Sequence, residues 1–485
     1  MKTDRKKFFF CFSLSVLSGV ILSFAFPPFA GWQIAFFSLV PLLFSASENS
    51  WKNFPLGMTS GFFFYSITLS WLYRVAGPVY LLLALYLSVF WGVFLYLAFA
   101  LPEKGRIFSA AFVWFMLEII MSNLLTGFPW ILLGFSQSGD PRILKIAGYF
   151  GVYGISFLIV LANLAIFYSF RKRYILSWLI AIAVLAAVIC LPSFIQPDRE
   201  QDAATLRVMV VQPNIDSSEA RSPYANLEDI EEITVQNLNG MKPDVVIWPE
   251  GIFHDDIGAD EDVLNGLKAL TAKYGFSLIM GTFTRADGGL YNSAVLIEGD
   301  RIRVYNKTHL VPYGEFILGG RYRIIRETFE RIAGYVPLTE PGRELTVFDV
   351  KGGRIAPLIC FENIFPLIAC NFIGEEADVF VTITNDSWYG RSAGPYQHFA
   401  HNVLRAAETG RYFVQSAMTG ISGVVSPEGI IEDTLRKDGE ELFIEGALFY
   451  DVPLMKGNTL YSTVRDMPLF IMALIFTGAV LCRRK

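Results

Sequence analysis

Three short stretches of this chain end in side chains able to carry out acyl chemistry. Val-Val-Ile-Trp-Pro-Glu runs into Glu250. Tyr-Asn-Lys-Thr-His-Leu-Val-Pro-Tyr-Gly-Glu holds Lys307 and Glu315. Ile-Ala-Pro-Leu-Ile-Cys-Phe-Glu-Asn holds Cys360 and Glu362. A thiolate attacks acyl carbons well, but an ordinary cysteine is mostly protonated at neutral pH. A carboxylate can remove that proton as general base, and an ammonium can hold first the thiolate and then the oxyanion of a tetrahedral intermediate. Glu250, Lys307 and Cys360 therefore form a candidate catalytic set. Any one of them alone reads as a cap, a loop lysine or a packed cysteine. Their joint occurrence, two of them at the ends of apolar runs, is what points to chemistry.

The elements that must position them are short β-branched runs. Leu206–Val211, Val245–Trp248, Ser277–Gly281, Ala294–Ile297, Ile355–Ile359 and Val379–Thr384 read as strands bounded by turn residues, and Glu261–Tyr274 and Gln397–Thr409 as helices. This alternation predicts an α/β sandwich with a mixed sheet. Glu250 and Cys360 would project from strand ends. The long stretch Tyr313–Tyr335 reads equally as a lid dipping toward a membrane or as connecting structure.

Ahead of this domain the chain is of another kind. Apolar runs near 8–26, 29–45, 55–73, 78–101, 107–125, 148–169 and 174–192, and a last one near 467–482, are each about as long as the ~20 residues a bilayer core requires. The predicted organisation is a polytopic α-helical membrane bundle of about seven helices over 1–195, an α/β catalytic domain over 205–455, and a C-terminal transmembrane helix over 465–485. Arg5, Lys6 and Lys7, Lys52, Lys104 with Arg106, Arg171–Arg173 and Arg483–Lys485 fall in alternate loops, which places these loops in the cytoplasm and the large domain outside. Arg74, Arg142 and Lys145 on the other side weaken that bias without reversing it.

The chain is 53% hydrophobic and 18% charged, with mean hydropathy +0.43. Residues 1–192 carry 13 basic and 5 acidic side chains, and the remainder is acidic enough to bring the net charge to −5. An acidic domain lacks the Lys/Arg surface that nucleic-acid binding needs. Of the five cysteines, Cys11, Cys190 and Cys482 lie in apolar runs, and none belongs to a Cys/His ligand pattern. A Cys360–Cys370 disulfide would inactivate the nucleophile and is not expected. His398 and His401, at i and i+3, lack an evident third ligand and read as structural, so no metal or cofactor is expected. Glu118, inside an apolar run, is expected to be partnered at a helix contact, by Asn123 or a neighbouring helix.

The three motifs resemble the catalytic signature of the nitrilase (carbon–nitrogen hydrolase) superfamily, over roughly residues 205–450. Thr384-Asn385-Asp386-Ser387-Trp388-Tyr389 is similar to a further motif of that superfamily. With the apolar runs, and with Asn-Leu-Leu-Thr-Gly-Phe-Pro-Trp at 123–130, nearly the whole chain resembles the apolipoprotein N-acyltransferase family. The resemblance implies an αββα sandwich. It gives Glu250 as general base, Lys307 as catalytic lysine, Cys360 as nucleophile, and Glu315 and Glu362 as supporting carboxylates. Phe361, where the family often has Tyr, and Trp388 are the implied substrate-binding positions. The family's Trp after the first strand is missing, with Tyr224 in that region. The implied partners are a phospholipid acyl donor, commonly phosphatidylethanolamine, and a diacylglyceryl-lipoprotein acceptor. The implied setting is the bacterial inner membrane, with the catalytic domain on the periplasmic side. Two rivals are a membrane-tethered amidase using the same trio and a non-catalytic membrane scaffold. The helix bundle argues against the first and the intact trio against the second.

Overall fold

The computed structural model describes residues 2–103, 105–172, 200–216 and 221–482, with six isolated positions between 175 and 186. It comprises two compact units. One combines Met1–Asp198 with Ser392–Glu408 and Thr459–Lys485, and the other Arg199–Arg391 with Thr409–Asn458.

The first unit opens with α1 (Lys2–Ser23), α2 (Val40–Ser45), α3 (Asn53–Thr68), α4 (Tyr80–Ala100), α5 (Arg106–Asn123) and α6 (Ala147–Lys172). Four of its helical stretches, Arg5–Ser23, Leu72–Ala100, Arg106–Asn123 and Ala147–Arg171, are long and apolar enough to cross a membrane. The apolar run at 29–45 instead folds as a short 3-10 turn followed by α2, and the run at 55–73 gives the 16-residue α3. Most of the run at 174–192, and the start of the segment joining it to the next domain, lie outside the described residues. Large apolar side chains stay exposed along these helices, among them Phe8, Phe9, Phe10, Leu82 and Leu85, as lipid-facing surfaces require. Where α3 meets α4 the contact depends on small residues. A Cβ on Gly57 would lie 2.3 Å from the Trp91 carbonyl oxygen, and one on Gly61 2.8 Å from the Trp91 ring. This Gly-x-x-x-Gly spacing lets two backbones approach and gain packing in a medium without a hydrophobic drive. Glu118 is buried in α5, and its Oε1 accepts from the Leu133 backbone N–H at 2.7 Å. Its partners are thus the chain segment after the helix and, on the neighbouring helix α6, Ser156. Asn123 bonds back to the Ile119 carbonyl instead.

The second unit is an αββα sandwich. Its first sheet has the strand order β13 (Gly446–Lys456), β1 (Glu200–Gln212), β2 (Val245–Ile247), β4 (Ser277–Ala286), β5 (Gly289–Glu298), β6 (Arg301–Asn306), with β3 (Phe253–Asp256) beside β4, and the second has the order β12 (Ile431–Thr434), β11 (Gly423–Val425), β10 (Tyr412–Ala417), β9 (Val379–Thr384), β8 (Gly353–Ile359), β7 (Phe348–Val350). The strands that bear on the site are β1 (Glu200–Gln212), β2 (Val245–Ile247), β4 (Ser277–Ala286), β5 (Gly289–Glu298) and β6 (Arg301–Asn306) in the first sheet. In the second they are β8 (Gly353–Ile359), β9 (Val379–Thr384) and β10 (Tyr412–Ala417). Each sheet has a parallel centre, β1-β2-β4 in one and β8-β9-β10 in the other. These strands are buried through their centres, so they read as apolar runs in the sequence. The sheets are tied face to face by Ser416 Oγ donating to the Val211 carbonyl at 2.9 Å and Ser422 Oγ to Gln212 Oε1 at 2.6 Å.

Helices α7 (Pro223–Leu238) and α8 (Glu261–Tyr274) cover the outer face of the first sheet, where Ile230, Ile233, Leu267 and Leu270 join Val246, Trp248, Leu278 and Met280 in one core. Each such side chain, fully buried, contributes about 1.5–3 kcal/mol. Helix α8 has the bounds expected of it. Asp260 caps Val263 N–H, Glu261 and Asp262 sit in the first turn, and Gly275 ends the helix at φ 74°. Further along are the amphipathic α9 (Arg323–Ala333), inside the stretch expected to be a lid or connector, and α10 (Pro366–Gly374).

Helix α11 (Ala393–Thr409) lies, in sequence, between strands of the second unit, yet up to Glu408 it is part of the first, together with α12 (Leu460–Val464) and α13 (Met467–Cys482). Gln397 is buried and fully engaged. Its Oε1 accepts from the Trp71 and Trp130 indoles at 2.9 and 3.0 Å, and its Nε2 donates to the Thr68 and Pro27 carbonyls at 3.0 and 3.2 Å. His398 stacks on Trp130 and His401 on Phe135. Helix α6 is broken at Gly151 (φ 64°), and Glu408 Oε1 accepts from the freed Val152 N–H at 2.8 Å, with Arg405 at 2.8 Å from its other oxygen. Gly151 is required there, since a Cβ would lie 2.3 Å from the Tyr461 ring.

Candidate active site

Glu250 follows β2 by three residues. The strand ends because Pro249 has no N–H to offer. Its backbone lies so close to β4 that a Cβ on Gly281 would fall 2.4 Å from the Glu250 Cα. The Glu250 carboxylate is held from both sides. Asn292 Nδ2 donates to Oε1 at 2.8 Å, and the Asn385 backbone N–H to Oε2 at 3.0 Å.

Lys307 immediately follows β6 and is buried at 1% exposure. Its Nζ is 2.9 Å from Glu315 Oε1 and 3.5 Å from Glu250 Oε1. Burial opposes its charge, but Glu315, then Glu250, then the Cys360 sulfur outweigh it, and its pKa stands above the ordinary lysine value. The ammonium form is therefore favoured. Glu315 is fixed in turn, Oε1 accepting from Asn292 Nδ2 at 2.7 Å and Oε2 from the Val311 N–H at 2.7 Å. The two protons of one Asn292 amide thus bridge two carboxylates that flank one ammonium.

Cys360 ends β8 at φ 51°, a left-handed conformation that costs a non-glycine residue about 1–2 kcal/mol. A 3-10 turn, Cys360–Ile364, follows it. The strained corner is held by Glu362, wholly buried. Glu362 Oε2 accepts from the Ile359 N–H, and Oε1 from Tyr305 OH, the Thr308 N–H and hydroxyl, and the His309 N–H, all within 2.7–3.2 Å. One carboxylate thereby ties the nucleophile's turn to the segment after Lys307. The Cys360 thiol is pushed well above the usual cysteine value, first by burial and then by Glu250. Lys307 and a hydrogen bond with Thr384 pull the other way without winning. The surroundings thus favour the thiol form, and Glu250 is the carboxylate placed to take its proton. Cys360 and Cys370 are not joined by a disulfide.

The three residues expected to be catalytic, Glu250, Lys307 and Cys360, and the two expected to support them, Glu315 and Glu362, are brought together. Of the two expected substrate positions, Phe361 is buried against Phe365 and His309, and Trp388 is 58% exposed on the 3-10 turn Asp386–Tyr389. Tyr389, on the same turn, hydrogen-bonds with the Cys360 side chain. Asp386 is fully buried, accepting from Thr384 Oγ1 at 2.8 Å. Tyr224 lies at the start of α7, its ring on Phe253 and its hydroxyl on Asp260. Sequence reasoning missed Asn292, the Asn385 N–H and Gly281. The available hints are polar Asn292, two residues ahead of the apolar run 294–297, and the place of Asn385 within the 384–389 motif.

A buried thiol at a strained strand end, beside a fixed lysine and two carboxylates, in an αββα sandwich, defines an enzyme that forms an acyl-thioester within the carbon–nitrogen hydrolase fold. The family description "Carbon-nitrogen hydrolase" matches residues 207–446, and "Apolipoprotein N-acyltransferase N-terminal domain" matches 18–165. An apolipoprotein N-acyltransferase of Rhizobium rhizogenes is 32% identical, the alignment covering 86% of each chain. Those of Geobacter metallireducens and Haemophilus influenzae are 29% and 28% identical, covering 94% and 96% of this chain and 91% and 94% of theirs. A solved carbon–nitrogen hydrolase superfamily protein of Xanthomonas campestris is 19% identical, covering 55% of this chain and 97% of its own, with a TM-score of 0.39. The chain belongs to the apolipoprotein N-acyltransferase family. It is an acyltransferase and a membrane protein.

Proposed function

We propose that the enzyme takes an acyl chain from the first glycerol position of a phospholipid, phosphatidylethanolamine above all, and delivers it to the α-amine of a lipoprotein's N-terminal diacylglyceryl-cysteine. The observation that carries this is a buried Cys360 in one site with a buried Lys307 that is bracketed by Glu250 and Glu315, in a chain that also has apolar helices. Both substrates are lipids, which such helices can receive from the bilayer.

In the first step Glu250 accepts the thiol proton while Sγ attacks the ester carbonyl, and Lys307 stabilises the oxyanion. The C–O bond breaks, the lysophospholipid oxygen takes the proton back from Glu250, and a thioester remains on Cys360. In the second step the acceptor amine attacks that thioester. Its proton passes to Glu250, the C–S bond breaks, and the thiolate leaves beside Lys307 and is reprotonated. Kinetics should be ping-pong. Glu315 and Glu362 support the site, while Phe361 and Trp388 meet the substrate, Trp388 from its exposed position. Residues 1–195 form the bundle, 205–455 the catalytic domain and 465–485 the C-terminal helix, in a bacterial inner membrane with the catalytic domain on the periplasmic side.

The test uses detergent-purified protein, phospholipid labelled in its first acyl chain, and Cys360→Ala as control. A hydroxylamine-labile adduct on wild type alone, discharged onto a diacylated lipopeptide amine, supports the proposal. Discharge to water alone makes the protein a lipid hydrolase. With no adduct at all, phospholipid is not the donor.

A further inference from the structure

A second charged site lies in the membrane unit. A cleft of about 550 Å³ is lined by Glu48, Asn49, Ala100–Glu103, Arg106 and Arg171. These residues sit at the first residue of α5, the ends of α4 and α6, and the α2–α3 loop. Gln397 binds Pro27, Thr68, Trp71 and Trp130, which lie toward the opposite ends of these helices. The 18 residues of α5 separate the two ends by about 27 Å at 1.5 Å per residue.

The cleft is built before any ligand arrives. Arg106 is 4% exposed and its guanidinium is spent on the structure. Nε and Nη2 donate to the Leu101 carbonyl at 3.0 and 2.5 Å, and Nη1 to Glu48 Oε2 at 2.7 Å and to the Tyr168 hydroxyl at 3.1 Å. The α2–α3 loop is pinned by Asn49 N–H on the Phe99 carbonyl and by Asn53 bonding twice to Ser47.

Arg171 is held differently. Its guanidinium lies over the Phe99 and Phe167 rings, 5.8 and 5.4 Å from their centroids, and Nη2 reaches Glu48 at 3.5 Å, longer than the 2.7–2.9 Å of a strong charge-assisted bond. Such a planar fork suits a phosphate. Glu48, 42% exposed, and Glu103 set negative charge on the same wall. Next to the cleft, Tyr96, Leu97 and Phe170 are exposed on the apolar helices.

We propose that this cleft binds the headgroup of a membrane aminophospholipid, its phosphodiester on Arg171 and its ammonium toward Glu48 and Glu103, with the acyl chains along α4 and α6. The mixed signs favour a zwitterion over a simple anion. The adjoining apolar surface favours a lipid over free phosphate. None of the catalytic residues lines the cleft, so the inference does not depend on the donor proposed above.

The experiment measures hydrogen exchange of segments 46–53 and 99–106 in the full chain. The protein is reconstituted in nanodiscs of phosphatidylethanolamine, phosphatidylcholine or phosphatidylglycerol, and held in detergent with inorganic phosphate. Phosphatidylethanolamine should slow exchange in both segments several-fold relative to the other three conditions. Arg171→Ala and Glu48→Gln should each remove that difference, Arg171→Lys should keep part of it, and Cys360 acylation in a single turnover should be unchanged in all three. Equal exchange in the three lipids, or a difference that survives in Arg171→Ala and Glu48→Gln, overturns the proposal. Protection by inorganic phosphate alone also overturns it, and makes the cleft a free-anion site.

Discussion

Asn292 has no chemistry of its own, yet it keeps two carboxylates apart with the two protons of one amide. Asn292→Asp replaces donors with a third negative oxygen among Glu250, Glu315 and Lys307. We expect kcat for thioester formation to fall about 100-fold, the order lost with a general base or oxyanion contact, while the KM for phospholipid changes little. Asn292→Gln, which keeps the amide, should retain more activity than Asn292→Asp. Matching losses in the two variants would reduce Asn292 to packing. The raised Cys360 thiol gives a pH prediction. A group whose thiol form is favoured loses its proton only above the ordinary cysteine range, so alkylation of Cys360 by iodoacetamide should be slow at pH 7 and still rising at pH 9. A plateau below pH 8 would show the thiolate to be stable at rest. Lys307→Met removes the main influence that favours the thiolate and should push that rise further up the pH scale.

At the scale of elements, Gly281 and Glu362 are where strands acquire function. Gly281→Ala drives a methyl group into the Glu250 backbone, and activity should drop by at least tenfold with the protein still folded, as checked by near-UV circular dichroism. Glu362→Ala strips acceptors from several buried donors, each costing about 1–3 kcal/mol when orphaned. We expect thermal stability as well as activity to fall. Undiminished stability would mean that water replaces the carboxylate. These elements were unequally legible. Apolar runs closed by Pro-Glu or Cys stand out in one dimension, and the strands carrying Glu250 and Cys360 appear where the pattern put them. Asn292 and Gly281 both act on Glu250, which belongs to the end of a different and earlier strand, and no local spacing encodes such a meeting. The 3-10 turn and α2 at 32–45 show the converse. The apolar composition of 29–45 is compatible with a span, but the run breaks into two short pieces.

At the scale of the whole molecule, Gln397 is the clearest object for a test. Gln397→Leu leaves the Trp71 and Trp130 indole donors and the Thr68 and Pro27 carbonyls to find other partners within the first unit. Unfolding followed by tryptophan fluorescence in detergent should shift by about 2–4 kcal/mol, the sum of two or so unsatisfied buried groups. An unfolding curve that superimposes on that of the wild type would show that the clamp is dispensable. The pattern of residues predicts a helix at 397–409, but position along the chain assigns it to the catalytic domain. Its true neighbours follow only from partners distant in sequence: those of Gln397, the Phe135 ring on His401 and the Val152 N–H on Glu408 come from the N-terminal helices and the loops between them.

That interleaving also imposes an order of events during synthesis. When Lys172 leaves the ribosome, α6 already carries a break whose Val152 N–H has no acceptor, because Glu408 has yet to be made. Roughly 240 residues must follow, which at 5–20 residues per second takes on the order of 10–50 s. Through that interval Trp71, Trp130 and the Thr68 carbonyl also wait for Gln397. The membrane bundle is thus an early product that stays incomplete until the catalytic chain is nearly finished, and a chain stopped before residue 397 should be cleared by membrane proteases rather than accumulate as a stable anchor.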